Sequence, residues 1–276
     1  MKKKIALVAL AAAAVGVQAA EWSDTSIGIA HGNKFAEPFE GANIPKNIYN
    51  LTHASGYKYG SNFFNVDMLD SSSKDPSVTN GSAGAHEIYV IYRNTVDFTK
   101  VTGKEFKTTG VRGLGFTGGF DFSSKSAGIN AKKEMVVAGP TVFLDVPAGF
   151  LNVSLLQAWE SAAPNTVTSR HHYKPHPILA LGWGIPFTAG VPLSFEGVAS
   201  FIANKGVDTD QTTNTVHETF VDLRLMYDVS AAVGTTPNTF KVGAEYQYWK
   251  NKFGVDASTN SGAFAKTPMV RAEYHF

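Results

Sequence analysis

The chain has 276 residues, no cysteine, and 24 Lys+Arg against 23 Asp+Glu, a formal charge of +1. That balance excludes a basic footprint for nucleic acid, and the missing cysteine excludes disulfides and thiolate chemistry. Only 17% of residues are charged, while 26 glycines and 19 phenylalanines suit sheets better than helices.

Residues 1–19 read as a cleaved secretory signal. Lys2, Lys3 and Lys4 precede a short apolar run from Ile5 to Val17, and Val17 and Ala19 supply small residues for the cleavage site. The run is shorter than the roughly 20 residues of a membrane helix. No later stretch is long and apolar enough for one. Residues 20–276 are then read as one exported domain, with the acids in slight excess once the three lysines are gone.

From there on, apolar and polar residues alternate with period two. Twelve such segments are expected, near 23–31, 47–57, 61–70, 84–94, 109–122, 134–144, 148–160, 174–186, 191–204, 215–229, 238–250 and 266–276. In the last, Pro268, Val270, Ala272, Tyr274 and Phe276 share one face, and Met269, Arg271, Glu273 and His275 share the other. Connections near 56–60, 147–149 and 188–190 are tight; those near 71–83, 161–173, 205–214 and 251–265 are longer. Short turns at one rim and long loops at the other describe a transmembrane antiparallel β-barrel. The expected fold class is therefore all-β, a barrel of about 12 strands in a bacterial outer membrane. Alternation alone equally describes a soluble sandwich or a lipocalin-like barrel, with the apolar face inside. Three features favour the membrane form: the number of strands, the aromatics near strand ends (Trp159, Trp183, Tyr227, Tyr246, Tyr248, Tyr274), and Phe276 completing the final strand.

With the apolar face in lipid, parity names the inward residues. Phe63, Asn65 and Asp67 line the third strand; Glu87, Tyr89, Ile91 and Arg93 line the fourth. Gly113, Gly115, Thr117, Gly119 and Asp121 line the fifth, where the glycines either leave room or mark tight curvature. The last three strands add Glu218, Asp222, Arg224, Lys241, Glu245, Gln247, Trp249, Arg271, Glu273 and His275. The plainer reading is an ion-pair ladder of Asp222, Arg224, Glu245, Arg271 and Glu273 that narrows the bore. The sharper one is a weak solute site with polar contacts and ring stacking on Phe63, Tyr89 or Trp249.

The run His53-Ala54-Ser55-Gly56-Tyr57-Lys58-Tyr59-Gly60-Ser61-Asn62-Phe63-Phe64-Asn65-Val66-Asp67 resembles the second and third strands of the nucleoside-specific channel-forming outer-membrane porins, the Tsx-like and OmpK-like barrels. Glu87-Ile88-Tyr89 and the ending Val270-Arg271-Ala272-Glu273-Tyr274-His275-Phe276 are similar to that family as well. The resemblance implies a narrow monomeric barrel for passive diffusion of small hydrophilic solutes, nucleosides first. The alternatives are a non-selective or ion-conducting porin, or a surface barrel serving phage or adhesion. Expected partners are outer-membrane lipid and lipopolysaccharide, and the barrel-assembly machinery through the strand ending at Phe276. No cofactor, metal or catalytic residue is expected. The run from His171 and His172 to His176 is read as part of a solvent-exposed loop, with a zinc site as the lesser alternative. Phosphate-loop, nucleophile-elbow and His-Glu-x-x-His patterns are absent, and a triad of His217, Asp222 and a serine exists only on paper.

Overall fold

In the computed structural model, residues 20–39, 41–75, 84–126, 131–163 and 169–276 are described. The expected signal segment, residues 1–19, lies outside them. Thirteen strands form one antiparallel sheet: β1 (Trp22–Glu37), β2 (Gly41–Tyr57), β3 (Gly60–Ser71), β4 (Ala85–Asp97), β5 (Val111–Lys125), β6 (Lys132–Leu144), β7 (Phe150–Ala163), β8 (His171–His172), β9 (His176–Thr188), β10 (Pro192–Ile202), β11 (Glu218–Asp228), β12 (Phe240–Lys250) and β13 (Phe264–His275). Each long strand pairs with its chain neighbours, and β13 pairs with β1, so the wall closes and leaves no edge. The two-residue β8 only caps the end of β7. The wall thus has twelve strands, and all twelve expected segments fall on them.

Register sets the width. Following paired residues once round the wall displaces the starting point by about 16 residues, which tilts the strands by roughly 45° and gives a backbone radius of roughly 12 Å. Such a cylinder is too wide for ordinary side chains to fill from both sides.

The outer face carries Ile27, Ile29, Leu51, Met68, Leu155, Leu225 and Val270, the last 67% exposed. Aromatic residues ring this belt. Tyr274, Phe195 and Trp183 lie toward the rim that holds the termini; Tyr248, Phe201, Trp159 and Phe122 lie toward the other. The inner face carries Asn50, Asn65, Asp121, Asp222, Glu245 and Arg271, all buried from the outside. Apolar outside with charge inside is the arrangement of a barrel solvated by lipid, where backbone groups must pair within the wall. This is an outer-membrane barrel, and the soluble alternative, which needs the reverse arrangement, is excluded.

Rim lengths depart from the expected layout. The turns at 58–59, 145–149 and 189–191 do share the rim with the chain ends, but so do two longer connections, 98–110 and 229–239. Both are ordered by short polar side chains. Asp97 caps helix α1 (Phe98–Thr102) by accepting the Thr99 N–H at 2.8 Å, and Gly103 ends it at φ 70°. Asp228 accepts the amides of Ser230 (3.0 Å) and Asn238 (2.7 Å). Conversely, β1 and β2 are joined at the loop rim by residues 38–40 alone, because both strands run on beyond the belt through a register shift after Gly32.

Candidate channel lumen

Five of the inward charges converge at mid-depth. Glu245 on β12 receives Arg271 Nη1 at 3.0 Å and faces Arg224 Nε at 3.4 Å. Arg224 also bonds Asp222 at 3.0 Å, and Arg271 Nε bonds Glu273 at 2.5 Å. Cross-strand register places them: Arg224 is opposite Glu245 on one ladder, and Gly243 opposite Arg271 on the next. Asp67, almost across the bore on β3, stands in electrostatic range of both arginines. The Arg224 side chain is 27% exposed, so the network borders open space.

The wall on β4 and β5 carries its own pair. Arg93 meets Asp121 at 2.5 Å and the Phe120 carbonyl at 3.0 Å, and the Tyr89 hydroxyl donates to Asp121 at 2.9 Å. Gly119 is what lets Arg93 lie down. A Cβ there would run into the Tyr92 carbonyl and approach Arg93 Cδ at 2.9 Å. A Cβ at Gly115 would meet the Phe143 ring. The space these glycines leave is therefore filled by neighbours rather than added to the bore. The opposite wall has small side chains at the same level: Ala180 lies between Ser154 and Ser200, Val198 is 40% exposed, and Gly182 has nothing within 4 Å of an added Cβ.

A second set of charges closes in at the loop rim. Lys46 on β2 bonds Glu37 at 2.5 Å; Lys125 on β5 bonds Asp75, from the β3–β4 loop, at 2.8 Å. Lys252, from the β12–β13 loop, bonds Glu37 at 3.0 Å and the Ala36 carbonyl at 3.1 Å. Burial draws the Lys252 ammonium below the ordinary lysine range, and Glu37 opposes that shift. Around the rim, Glu160 on β7 meets Lys205 of the β10–β11 loop at 3.0 Å, His176 at 3.6 Å and Lys133 at 3.9 Å. Three loops thus each insert one buried charge into the mouth.

The expected inward residues are distributed unevenly. Asp222, Arg224, Glu245, Arg271 and Glu273 come together, with Asp67 facing them. Arg93 and Tyr89 belong to the Asp121 pair. Phe63, in register between Ala54 and Arg93, keeps 37% of its surface open. Glu87 sits near the loop rim, in range of Lys46 and Lys252. Trp249 also lies high. It donates to Glu218 at 2.5 Å and has Phe220, Phe253 and the Lys252 ammonium against its ring.

Sequence reasoning missed the mouth. Continuing the parity of β2 and β6 would have named Lys46 and Lys133; the loop residues Asp75, Lys205 and Lys252 leave no periodic trace. The histidine run is corrected. His176 is not in a solvent-exposed loop but is the buried first residue of β9, turned inward with Nδ1 on the Lys174 carbonyl at 2.9 Å. His171 instead faces the β10–β11 loop through Val207 O at 2.9 Å and Gln211 at 2.7 Å. Tyr173 donates to Asp208 at 2.9 Å, and burial with that carboxylate pushes its phenol up. Among the described residues no group of three or more His, Cys, Asp or Glu is placed to hold a metal ion.

No protein-family model and no curated protein matches the chain. Among solved structures it is similar to the translocator domain of the autotransporter NalP from Neisseria meningitidis, at 13% identity and TM-score 0.42, over 100% of this chain and 96% of that one. It is also similar to a KdgM porin in complex with disordered oligogalacturonate, at 10% identity and TM-score 0.44, over 91% and 99%. A third is the beta domain of the Bordetella autotransporter BrkA, at 7% identity and TM-score 0.41, over 92% and 98%. At these values nothing about cargo or solute passes from those chains to this one.

Proposed function

We propose that the barrel is a narrow passive channel for ions and small hydrophilic solutes, lined at mid-depth by Asp67, Arg93, Asp222, Arg224, Glu245, Arg271 and Glu273. The observation that carries this reading is a mixed-charge inner wall, open at Arg224 and Arg93, inside a lipid-facing cylinder. Charges at mid-depth are tolerable there because lumen water and opposite charges solvate them; on the lipid face a basic residue would cost roughly 2–4 kcal/mol. A passage must hold a solute weakly enough to release it, and alternating signs do so for ions of either charge.

Nucleosides are the finer reading, taken from the family resemblance. Phe63 supports it with an open ring face beside Arg93. Tyr89 and Trp249 offer less, since both rings are already engaged. Planar-bilayer recording of the purified protein tests both levels. Conductance steps reduced by adenosine and thymidine but not by glucose would establish base recognition. Steps indifferent to all three would leave a small unselective channel, and a silent bilayer would overturn the channel reading in favour of a surface barrel acting through its loops.

A further inference from the structure

We propose that the outer surface of the loop rim over β12, β13 and β1 holds the phosphates of a phosphorylated glycolipid in the outer leaflet, through Lys34, Lys250 and Lys266. The inference rests on the outer-membrane reading of the fold and not on conduction.

Placement comes from register. On the outward face of one ladder Lys266 is opposite Tyr248 and Lys250 opposite Phe264, so the two lysines are diagonal neighbours. Lys34 lies one strand further round. The Thr267 hydroxyl donates to its carbonyl at 3.1 Å, which fastens that stretch beside Lys266. All three side chains are exposed. Directly below them come Tyr246, Tyr248, Pro268 and Val270 of the lipid belt. The Lys266 ammonium rests 4.6 Å above the Phe264 ring, which is itself edge-on to Tyr248 at 5.2 Å. The lysines therefore mark the level where hydrocarbon gives way to headgroups.

Their grouping on one outward stretch distinguishes them, since other unpaired lysines such as Lys132 stand elsewhere. Lys46, Lys100, Lys125, Lys133, Lys205, Lys241 and Lys252 each have a carboxylate partner. Among the described residues Lys34, Lys250 and Lys266 have none within ion-pair distance. Asp256 reaches Lys250 only at longer range, with its carboxylate on the Ser258 amide at 2.8 Å. On the far arc of the same rim His86 meets Asp70 at 3.2 Å and Arg170 meets Glu134 at 3.1 Å, and Lys132 is a single exposed lysine. Like charges on one sheet face repel, and clustered ammoniums above an apolar belt are complementary to phosphates on a lipid headgroup. A glycolipid that carries its own acyl chains fits both parts of the surface at once; free phosphate fits only the upper.

The test uses the whole protein in detergent, with lipid A, phosphatidylglycerol and inorganic phosphate as probes, read by native mass spectrometry. The wild type should retain lipid A, and the triple variant Lys34→Gln, Lys250→Gln, Lys266→Gln should retain at least about fivefold less. Lys132→Gln, on the other arc, should retain as much as the wild type. Equal retention by the triple variant would overturn the proposal. So would displacement of lipid A by phosphatidylglycerol or inorganic phosphate at equal phosphate concentration, which would mean an unselective basic rim. The triple variant's bilayer conductance, recorded in parallel, reports separately on the channel reading.

Discussion

Glu245→Gln tests whether the mid-depth network borders water or lies in a dry core. The amide keeps the shape and removes the charge between Arg271 at 3.0 Å and Arg224 at 3.4 Å. Each contact is worth roughly 1 kcal/mol at the dielectric constant of water and roughly 5 kcal/mol at an effective value near 20. The two arginines do not weigh equally. The Arg271 side chain is 2% exposed, whereas that of Arg224 is 27% exposed and screened. Each also keeps a second acid, Glu273 or Asp222. The expected loss is therefore about 3 kcal/mol, at the lower end of what breaking a buried pair costs. Reversible urea unfolding in phospholipid vesicles, followed by tryptophan fluorescence, measures it. A loss under about 1 kcal/mol would mean that water screens both arginines, and the structural role given to Glu245 would fall. Removing one acid from the wall should also move the ion preference toward anions in the same preparation.

Three further outcomes are expected. Val270→Lys, on the most exposed apolar position of β13, should destabilise the barrel by roughly 2–4 kcal/mol in vesicles, and a neutral result would place that face outside the hydrocarbon. Lys252→Met should release the β12–β13 loop from Glu37 and raise single-channel conductance, while unchanged step size would show that the clasp does not limit flow. Asp210 accepts the Thr213 hydroxyl and the amides of Thr212 and Thr213, and these bonds hold its carboxyl below the usual range. A lowered folded-state value means the turn's contribution is complete above the ordinary carboxylate pKa, about 3.9, and is lost only as the pH falls below it. The carboxyl carbon shift of Asp210 should have its midpoint under that value; a midpoint at or above it contradicts the turn geometry.

Much of the wall was legible before any coordinate. Arg271, Glu273 and His275 alternate with Val270, Ala272 and Tyr274 because neighbouring strand residues point to opposite faces, and that rule needs only local sequence. Tight turns at 58–59 and 189–191 were visible for the same reason. The two long connections beside the termini were not, because Asp97 and Asp228 order them through a few side-chain bonds that leave no periodicity. His176 fell inside the strand expected near 174–186, but its burial was not read because the polar run from His171 leads straight into the start of β9.

The sequence by itself determined an exported, all-β chain of twelve two-faced strands, and it named Asp222, Arg224, Glu245, Arg271 and Glu273 as members of one face. Only the tertiary structure decided which of the two faces is inside, which charges meet, and that Asp75, Lys205 and Lys252 turn into the mouth. The physical reason is range. Alternation is set by the geometry of adjacent residues, whereas the bonds from Lys252 to Glu37 and Ala36 join the two ends of the chain and exist only once β13 has closed against β1.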